Sequence, residues 1–453
     1  MAKIELPNGI VSVEELPKTR RELTNCFNDG KGSIVQRPGI TQLNTTSSVA
    51  RGQFKWNDSL YQVVSQSLIK ITNVTTGAFS TIGTIAGSDD IRTAIGFNNA
   101  VIVVKNGAIY KLDSSDVLTD ISGVANMVSC VEVTHLNGRF VYIPADGSPA
   151  FFSDVGAAGT IQVLSFFDAE ELPDKNTTCF EIKNTLYIGG TESFETFRDT
   201  GAVPNPFIRV TGSRVPYGFI GGLLEYADTK LFIGSESDQD AGIYAIAQGK
   251  AEKISNHAID KILSDHTATE LSQAIASRFK WRGFDIATFT LRGASFGFLG
   301  GNWFNLDTIR AGTSRPWSGG FITQLDNKYY TAYADKIGVL ADINKDFGDS
   351  FTRSMVVAFT QENGGYIACE SISLGLSQGF NTVAGSVAIQ MSRDGVTFGN
   401  PLYRNVGVLG EYASRLTWRY AGGLGTYENF LAIRIFTTED INFSCDSLSG
   451  ILA

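Results

Sequence analysis

The sequence predicts an all-β protein in which a six- or seven-bladed β-propeller is followed by a β-sandwich-like C-terminal domain. The first observation is composition: 30 phenylalanines and 48 glycines stand against only 4 methionines in 453 residues, and aromatic side chains fit the pleated surface of a sheet. The second is a hairpin pattern that recurs along most of the chain. The third is the loss of that period after residue 349.

The first 50 residues are predicted to form an extended N-terminal arm. This segment is rich in loop-forming residues, and Arg37-Pro38-Gly39 marks a stop before the first blade, because proline and glycine interrupt regular structure. We expect the arm to complete part of the C-terminal domain.

Residues 51–347 are predicted to form the propeller. An apolar strand, a polar turn and a second apolar strand recur, with turn centres near residues 58, 99, 138, 184, 228, 283 and 327. Most steps span about 40 to 46 residues, the length of one propeller blade. Asn137-Gly138 is the favoured two-residue hairpin turn, and second hairpins such as 104–110 supply four strands per blade. A meandering sandwich with coincidental spacing is the alternative.

The one long step, between the turns at 228 and 283, is predicted to hold a helical insertion at about 255–277. Asn256 can cap a first helix, and Thr267 with Glu270 forms a capping-box pattern before a second. We expect this helical pair to pack on the rim of the propeller.

Residues 348–453 are predicted to form a separate β-domain. A segment of this length suits a β-sandwich. Strand-like runs without the blade period occur there at 355–359, 367–376, 387–391, 416–420 and 431–436.

Charge and motif content argue against several functions. The net charge is −9 and the pI is near 5.0, which suits DNA binding poorly because cations must neutralise the phosphates. The five cysteines lack metal-ligand spacing, and the three histidines form neither a metal trio nor a Ser/His/Asp arrangement. Nowhere do about 18 apolar residues run together. We therefore expect no enzyme activity, no catalytic residue, no cofactor, no metal and no membrane segment.

Three stretches of the chain resemble a known protein family. In chain order they are Asn25–Leu43 with Arg51–Phe54, then Ala258–Leu263 with Thr267–Leu271 and Arg278-Phe279, and finally Ser392–Gly399 with Leu416–Arg419 and Ile433-Arg434. They are similar to the opening, the interrupting helices and the C-terminal domain of the packaged-DNA stabilisation, or tail-hub (nozzle), proteins of short-tailed (podovirus) bacteriophages. Together they cover about a third of the chain, in the right order.

The resemblance implies a structural subunit of the virion tail, assembled in the bacterial host cytoplasm. Copies would form a hexameric ring below the portal and its tail adaptor. The ring would continue the DNA channel, retain packaged DNA and carry needle, fibre or spike proteins. Six copies at −9 each would repel a passing polyanion rather than bind it specifically.

A glycan-binding or glycan-hydrolysing phage propeller is the alternative function. Ser392–Phe398 is a contracted relative of the Asp-box of sialidases, although such a segment usually closes a β-turn. Hydrolysis would also need converging arginines and a paired acid and nucleophile. A free-standing scaffold propeller is a third possibility.

Candidate functional residues fall into two groups. Aromatic loop residues are candidate interface anchors, because buried aromatics concentrate interface energy, with packing inside the blades as the alternative: Phe166, Phe167, Trp303, Phe304 and Trp317. Acidic residues are candidates for a channel wall or a docking loop, with a solvated loop as the alternative: Asp168, Glu170, Glu171, Asp342, Asp346 and Asp349. The segment from Asp342 begins like a calcium loop, but Phe347 and Arg353 occupy the positions of the required glycine and glutamate.

Overall fold

The structure is a computed structural model that describes residues 2–10, 21–168, 174–236, 239–361, 365–412, 416–419 and 424–452. Nearly all regular elements in these residues are β-strands. The predicted all-β class is confirmed, with a propeller and a sandwich.

The first 45 residues contain strands rather than only an extended arm. The strands are β1 (Ala2–Ile4), β2 (Arg21–Thr24), β3 (Cys26–Asn28), β4 (Ile34–Gln36) and β5 (Gly39–Thr45). β3 pairs with β4, and the other four strands pair with strands that come much later in the chain.

Blades 1 to 5 each consist of four consecutive antiparallel strands. Blade 1 contains β6 (Ala50–Trp56), β7 (Ser59–Val64), β8 (Ser67–Asn73) and β9 (Ala78–Thr84). Blade 2 contains β10 (Ile91–Ile95), β11 (Asn99–Val104), β12 (Ile109–Asp113) and β13 (Leu118–Asp120). Blade 3 contains β14 (Cys130–Leu136), β15 (Arg139–Pro144), β16 (Ala150–Phe152) and β17 (Phe166–Phe167). Blade 4 contains β18 (Asn176–Ile182), β19 (Thr185–Gly190), β20 (Phe194–Asp199) and β21 (Phe207–Arg209), and blade 5 contains β22 (Gly218–Tyr226), β23 (Thr229–Ser235), β24 (Gly242–Ala247) and β25 (Lys250–Lys253).

Two short helices separate blade 5 from blade 6, as predicted: α1 (His257–Ser264) and α2 (Ala268–Ser272). The side chain of Asn256 caps α1 and accepts a hydrogen bond from the Ile259 amide. Thr267 and Glu270 form the predicted capping box of α2. Neither of these described helices has the length and apolar character that a membrane span requires.

Blades 6 and 7 complete the propeller. Blade 6 contains β26 (Ile275–Trp281), β27 (Phe284–Thr290), β28 (Ser295–Leu299) and β29 (Asn302–Asn305), and the hairpin β30 (Asp307–Arg310) and β31 (Thr313–Pro316) follows it. Blade 7 contains β32 (Phe321–Leu325), β33 (Lys328–Tyr333) and β34 (Lys336–Ala341). Its fourth strand is β5, which pairs antiparallel with β34, so that Ile40 lies opposite Leu340. The described residues thus form seven blades, and the N-terminal segment completes the last one.

Local turn chemistry explains the repeated hairpins. Asn137 and Gly138 have φ angles of 49° and 84°, the left-handed conformation that a type I′ turn requires at both central residues. Asn57 and Asp58 have φ angles of 46° and 50°. Asparagine and aspartate tolerate this region better than other side chains, so these turns can follow directly from the local sequence.

Neighbouring blades share apolar cores, and this arrangement forms the ring. Phe180 and Tyr187 of blade 4, for example, pack in one cluster with Phe232 and Tyr244 of blade 5. Each blade contacts the next one, and β32 of blade 7 contacts β6 of blade 1, which closes the ring.

The sandwich is built from two sheets and continues outward from blade 6. After the short strands β35 (Lys345–Asp346) and β36 (Asp349–Ser350) come β37 (Arg353–Thr360), β38 (Tyr366–Leu376), β39 (Gly385–Ser392), β40 (Leu402–Val406), β41 (Thr417–Arg419), β42 (Gly425–Glu428), β43 (Phe430–Thr437) and β44 (Ser444–Leu452). One sheet has the order β3-β4-β44-β38-β41, with β1 also on β44 and β42 also on β38. The other runs from β29 of blade 6 through β2 to β37, β43, β39 and β40. A continuous sheet therefore joins the propeller to the sandwich through β2.

Candidate functional site

Trp303, Phe304 and Trp317, predicted as interface anchors, lie inside the subunit. Each is 1% exposed. The indole Nε1 of Trp303 donates a hydrogen bond to the Ile254 carbonyl at 3.0 Å. Phe304 and Trp317 lie in the core shared by blades 6 and 7, the N-terminal strands and the sandwich. Packing within the subunit, the alternative that the sequence left open, therefore describes these three rings.

Phe166 and Phe167 are adjacent on β17 but have opposite environments. Phe167 is buried, with its ring centroid 5.0 Å from those of Phe197 and Phe207 of blade 4. Phe166 is 52% exposed, because successive side chains of a strand point to opposite faces. The interface prediction therefore remains only for Phe166.

The acidic residues predicted to form a channel wall or a docking loop do not lie on one surface. Asp168 is exposed at the end of blade 3, while Glu170 and Glu171 lie outside the described residues. Asp342 is exposed, and its carboxylate lies 2.7 Å from the Arg282 guanidinium. The two remaining residues, Asp346 and Asp349, lie in or beside the junction between the propeller and the sandwich.

Asp346 is interior, which corrects the expectation of an exposed acidic loop at this position. Its carboxylate and the Arg37 guanidinium are both fully buried, at distances of 2.6 and 2.9 Å. The Thr308 hydroxyl donates to the same carboxylate at 2.7 Å. Such bidentate pairing is what permits a charge to remain buried. Asp349, three residues later, is half-buried.

The Arg37 side chain also connects three distant segments. Its Nε donates to the Asn25 side-chain oxygen at 2.7 Å, and its Nη2 donates to the Asp307 carbonyl at 2.9 Å. The Asn25 amide nitrogen in turn donates to the Asp307 carboxylate and, at 2.6 Å, to the Thr352 carbonyl. We call this network, centred on Arg37 and Asp346, the junction network. It ties the N-terminal segment to β30 and to the start of the sandwich.

A second buried arginine extends this connection into the sandwich. Arg353 donates to the carbonyls of Ile441 and Glu439. Burial lowers the pKa of Arg353 to about 10, and nearby Arg37 acts in the same direction. The Phe351 ring lies between the two guanidinium groups, 3.9 Å from that of Arg37 and 5.0 Å from that of Arg353. The propeller and the sandwich are thus held by polar contacts as well as by the shared sheet.

The axis of the propeller contains a cavity of about 330 Å³. It is lined by the first strands of successive blades, including Gln53, Arg92, Glu132 and Ala276. Glu132 of blade 3 is 7% exposed, and its carboxylate lies 3.4 Å from the Arg92 guanidinium of blade 2. This pair crosses the interface between the two blades.

Burial dominates the electrostatics of this cavity. It raises the pKa of Glu132 to about 7, although Arg92 and Lys105 favour the ionised form. Burial also raises the pKa of Asp90 and lowers that of Lys105. The buried Glu132 therefore titrates near physiological pH.

The Asp-box-like segment forms a structural turn. The Asp394 carboxylate accepts hydrogen bonds from the Ser392 hydroxyl at 2.8 Å and from the amides of Val396 and Thr397 at 2.8 and 2.7 Å. These bonds hold the pKa of Asp394 well below its usual range. In the part of the chain that the structure describes, no group of three or more His, Cys, Asp or Glu side chains could hold a metal ion.

Exposed apolar side chains are unevenly distributed. Of nineteen large hydrophobic residues that the described chain exposes, eleven lie between residues 95 and 210, on blades 2 to 4. Seven more lie between residues 366 and 412, in the sandwich. Within the described residues of blades 5 to 7 there are none. Large contiguous apolar patches mark contacts with other molecules, whereas single exposed apolar side chains are normal on a protein surface.

Comparison with known proteins matches both domains. The family model described as "Bacteriophage P22 Gp10, beta-propeller" matches residues 12–341, and the one described as "Bacteriophage P22 Gp10, beta-sandwich" matches residues 352–448. The chain belongs to the P22 Gp10 family. A member of this family, the tail hub protein gp10 of Salmonella phage P22, is 21% identical over 464 residues, which cover 94% of this chain and 92% of that protein.

Membership of the P22 Gp10 family makes this chain a structural component of a phage tail hub, and so of the virion tail. Two solved structures also share similarity with the chain. Virginiamycin B lyase from Staphylococcus aureus has a TM-score of 0.44 at 10% identity, over 67% of this chain and 98% of that one. The extracellular domain of a two-component system from B. thetaiotaomicron has a TM-score of 0.46 at 9% identity, over 77% and 45%. Similarities at this level carry no conclusion about function.

Proposed function

We propose that copies of this chain form a closed ring below the portal and its adaptor in a short-tailed phage. The ring continues the DNA channel, retains packaged DNA until ejection and carries needle, fibre or spike proteins. It assembles in the host cytoplasm and performs no turnover chemistry. The observation that carries this proposal is the match, across both domains and nearly the full length, to a phage tail hub protein.

The size of the axial cavity favours a ring of several copies. At about 330 Å³, it has room only for a small number of water molecules, so a DNA duplex cannot pass through the propeller itself. A DNA path must therefore run between subunits. Several copies around a common axis provide such a path.

The charge of the chain suits this path. Each copy carries a net charge of −9, so a ring of several copies is strongly negative overall. Like charge disfavours adhesion and lets a polyanion slide. The shared sheet and the junction network also support the proposal, because a rigid two-domain subunit can transmit load from the tail to the portal side.

Light scattering of the purified protein, alone and with the portal–adaptor complex, tests the proposal. We expect a closed multimer, either alone or on that complex, with an axial hole visible by negative-stain imaging. The portal–adaptor complex without the chain is the control. A single chain that ignores the complex contradicts the proposal, and cleavage of host glycans by that single chain supports the alternative function.

DNA retention is tested on capsids filled in the absence of the protein. Adding the purified chain is expected to protect the packaged DNA from nuclease and to restore infectivity. A heat-unfolded sample of the same protein is the matched control. Unchanged nuclease sensitivity after ring formation contradicts the retention role.

A further inference from the structure

One segment near the N-terminus, residues 21–45, takes part in three different sheets, and we call it the strap. Its strand β2 lies between β29 of blade 6 and β37 of the sandwich. Its strands β3 and β4 belong to the opposite sheet of the sandwich, and β5 is the fourth strand of blade 7. The strap therefore contributes to both sheets of the sandwich and to the last blade of the propeller.

Very short connections join the strands of the strap. Asn25 alone separates β2 from β3, and Arg37-Pro38 separates β4 from β5. Asn25 has a φ angle of 55°, in the left-handed region that asparagine tolerates better than most residues. After the second connection, a side chain at Gly39 would collide with the backbone carbonyls of Ile343 and Lys345. Connections this short leave little freedom for one strand to leave its sheet while the next strand stays in place.

The two connections are also bonded to each other. The Arg37 amide donates to the Asn25 carbonyl at 3.0 Å, in addition to the bond from Arg37 Nε to the Asn25 side-chain oxygen. That side-chain oxygen also accepts from the Asp307 amide at 3.0 Å. Asn25 and Arg37 are both 0% exposed. A buried polar network that is only partly satisfied costs free energy, so states in which all of these bonds are present, or all are open to water, are favoured over intermediate ones.

One end of the strap lies at the seam between blades 7 and 1, where the propeller ring closes. After pairing with β34, β5 continues through four residues into β6 of blade 1. The Ala50 amide donates to the Ala334 carbonyl at 2.8 Å, and the Gln53 side-chain amide donates to the Tyr330 carbonyl at 2.9 Å. Apolar residues of the two blades share one cluster, and Leu43 of the strap packs against it. The strap is therefore part of the seam.

The other end of the strap is anchored in the sandwich. In β4, Ile34 is fully buried and lies opposite Cys445 of β44. All four residues of β2 pair with β37. Without the strap, β44 and β37 would each lose a neighbouring strand, so the sandwich depends on the same segment as the seam does.

We infer that the strap is a latch that closes the seam between blades 7 and 1 and docks the sandwich in a single step. Neither the seam nor the sandwich is released alone, because the bonds between Asn25 and Arg37 join the two halves of the strap. A force or a partner that displaces the sandwich therefore also loosens the seam. A partner that binds across the closed seam stabilises the docked sandwich by the same coupling free energy. The inference concerns the single chain and does not depend on the proposed ring.

Native-state hydrogen exchange of the full chain, measured on peptides by mass spectrometry, tests the coupling. Leu448→Ala truncates a fully buried side chain of β44, which lies in the sandwich and outside the strap. Ile188→Ala truncates a buried side chain of blade 4 and is the matched control. Peptides from β4 and β44 report opening of the sandwich, and peptides from β5 and β34 report opening of the seam.

We expect Leu448→Ala to raise the exchange rates of β4 and β44 by roughly 100-fold. The rates of β5 and β34 are expected to rise by the same factor, because amides protected by one opening event share its equilibrium constant. Exchange in blades 2 to 5 is expected to stay unchanged. Ile188→Ala is expected to raise exchange in blades 3 and 4 and to leave β5 and β34 unchanged. If Leu448→Ala unfolds the sandwich outright, the latch predicts that β5 and β34 lose their protection as well.

A second variant, Asn25→Gly, tests whether the junction network carries the coupling. Glycine adopts the left-handed conformation readily, but it lacks the side chain that accepts from Arg37. Combined with Leu448→Ala, it is expected to let β4 exchange faster than β5, because the two halves of the strap are no longer bonded to each other.

Two results of the Leu448→Ala experiment overturn the latch, whether or not Asn25→Gly folds. One is unchanged protection of β5 and β34 in a chain whose sandwich is loosened or unfolded. The other is a uniform rise in exchange through all seven blades, which indicates global unfolding instead of one local step. Equal factors for β4 and β5 that persist in the Asn25→Gly combination overturn the role of the network. Ring formation is measured separately by light scattering, so its failure is distinguishable from failure of the latch.

Discussion

The blades of the propeller and the junction with the sandwich are held together by different kinds of contact. Each blade packs on its sequence neighbour through a repeated apolar core, such as the cluster of Phe180, Tyr187, Phe232 and Tyr244. The junction depends on a buried ion pair whose partners, Arg37 and Asp346, are 309 residues apart. The blades therefore follow from local pattern, whereas the junction forms only when the two ends of the propeller sequence meet.

The largest expected effect concerns the ion pair at the junction. Substitution Arg37→Met leaves the buried Asp346 carboxylate without its partner, which typically costs about 3–5 kcal/mol. Arg282→Met is the matched control, because it breaks an exposed pair with Asp342, and such pairs contribute at most about 1 kcal/mol. Chemical denaturation measures both, and equal losses contradict the special role of the junction network.

The adjacent phenylalanines of β17 allow the stability contribution of a buried ring to be compared with that of an exposed ring. Phe167→Ala removes a ring buried between blades 3 and 4 and is expected to destabilise the chain by about 3 kcal/mol or more. Phe166→Ala alters an exposed ring and is expected to change stability by less than about 1 kcal/mol. Urea unfolding of the single chain, below the concentration at which it assembles, measures the pair. A comparable loss in both variants contradicts the assignment of opposite faces.

The blade 2–blade 3 interface is expected to be sensitive to pH through Glu132. Its pKa is raised to about 7 from the usual 4.5, so the folded chain holds this proton to higher pH than the unfolded chain does. Wild-type stability therefore falls as pH rises from about 4.5 to 7 and stays lower above that.

The variant Glu132→Gln tests this effect, because it remains neutral at every pH. Above pH 7 it is expected to be more stable than the wild type by roughly 1–3 kcal/mol, with the difference shrinking towards pH 4.5. Melting curves across this range measure the difference, and Glu192→Gln on the exposed surface is the control. A difference that does not vary with pH contradicts the titration of Glu132.

The smallest expected effect concerns the helical insertion. Thr267→Ala removes the side chain that caps α2 and is expected to cost about 1 kcal/mol. Thr269→Ala, at an exposed position inside the same helix, is the control and is expected to change little. Denaturant unfolding that shows the same loss for both contradicts the role of the capping box.

Features set by neighbouring residues were predictable from the sequence. The turn at Asn137-Gly138, the cap at Asn256 and the capping box from Thr267 to Glu270 each depend on a few adjacent residues, and the structure contains them. The blade repeat was predictable for the same reason, because each hairpin repeats one local pattern.

Features set by distant partners were not predictable. Arg37 was identified only as part of a stop signal, since nothing near it in sequence indicates that Asp346 receives its side chain. The pairing of β5 with β34, which completes blade 7, is hidden in the same way. Trp303 and Trp317 illustrate a third limit: an aromatic residue in a turn-rich segment has the same local signal whether it faces the core or a partner.

Cryo-electron microscopy of the chain bound to the portal–adaptor complex tests the central claim most directly. The account predicts a closed ring with a DNA-wide hole between subunits. Single copies on the complex, or a ring without such a hole, contradict it.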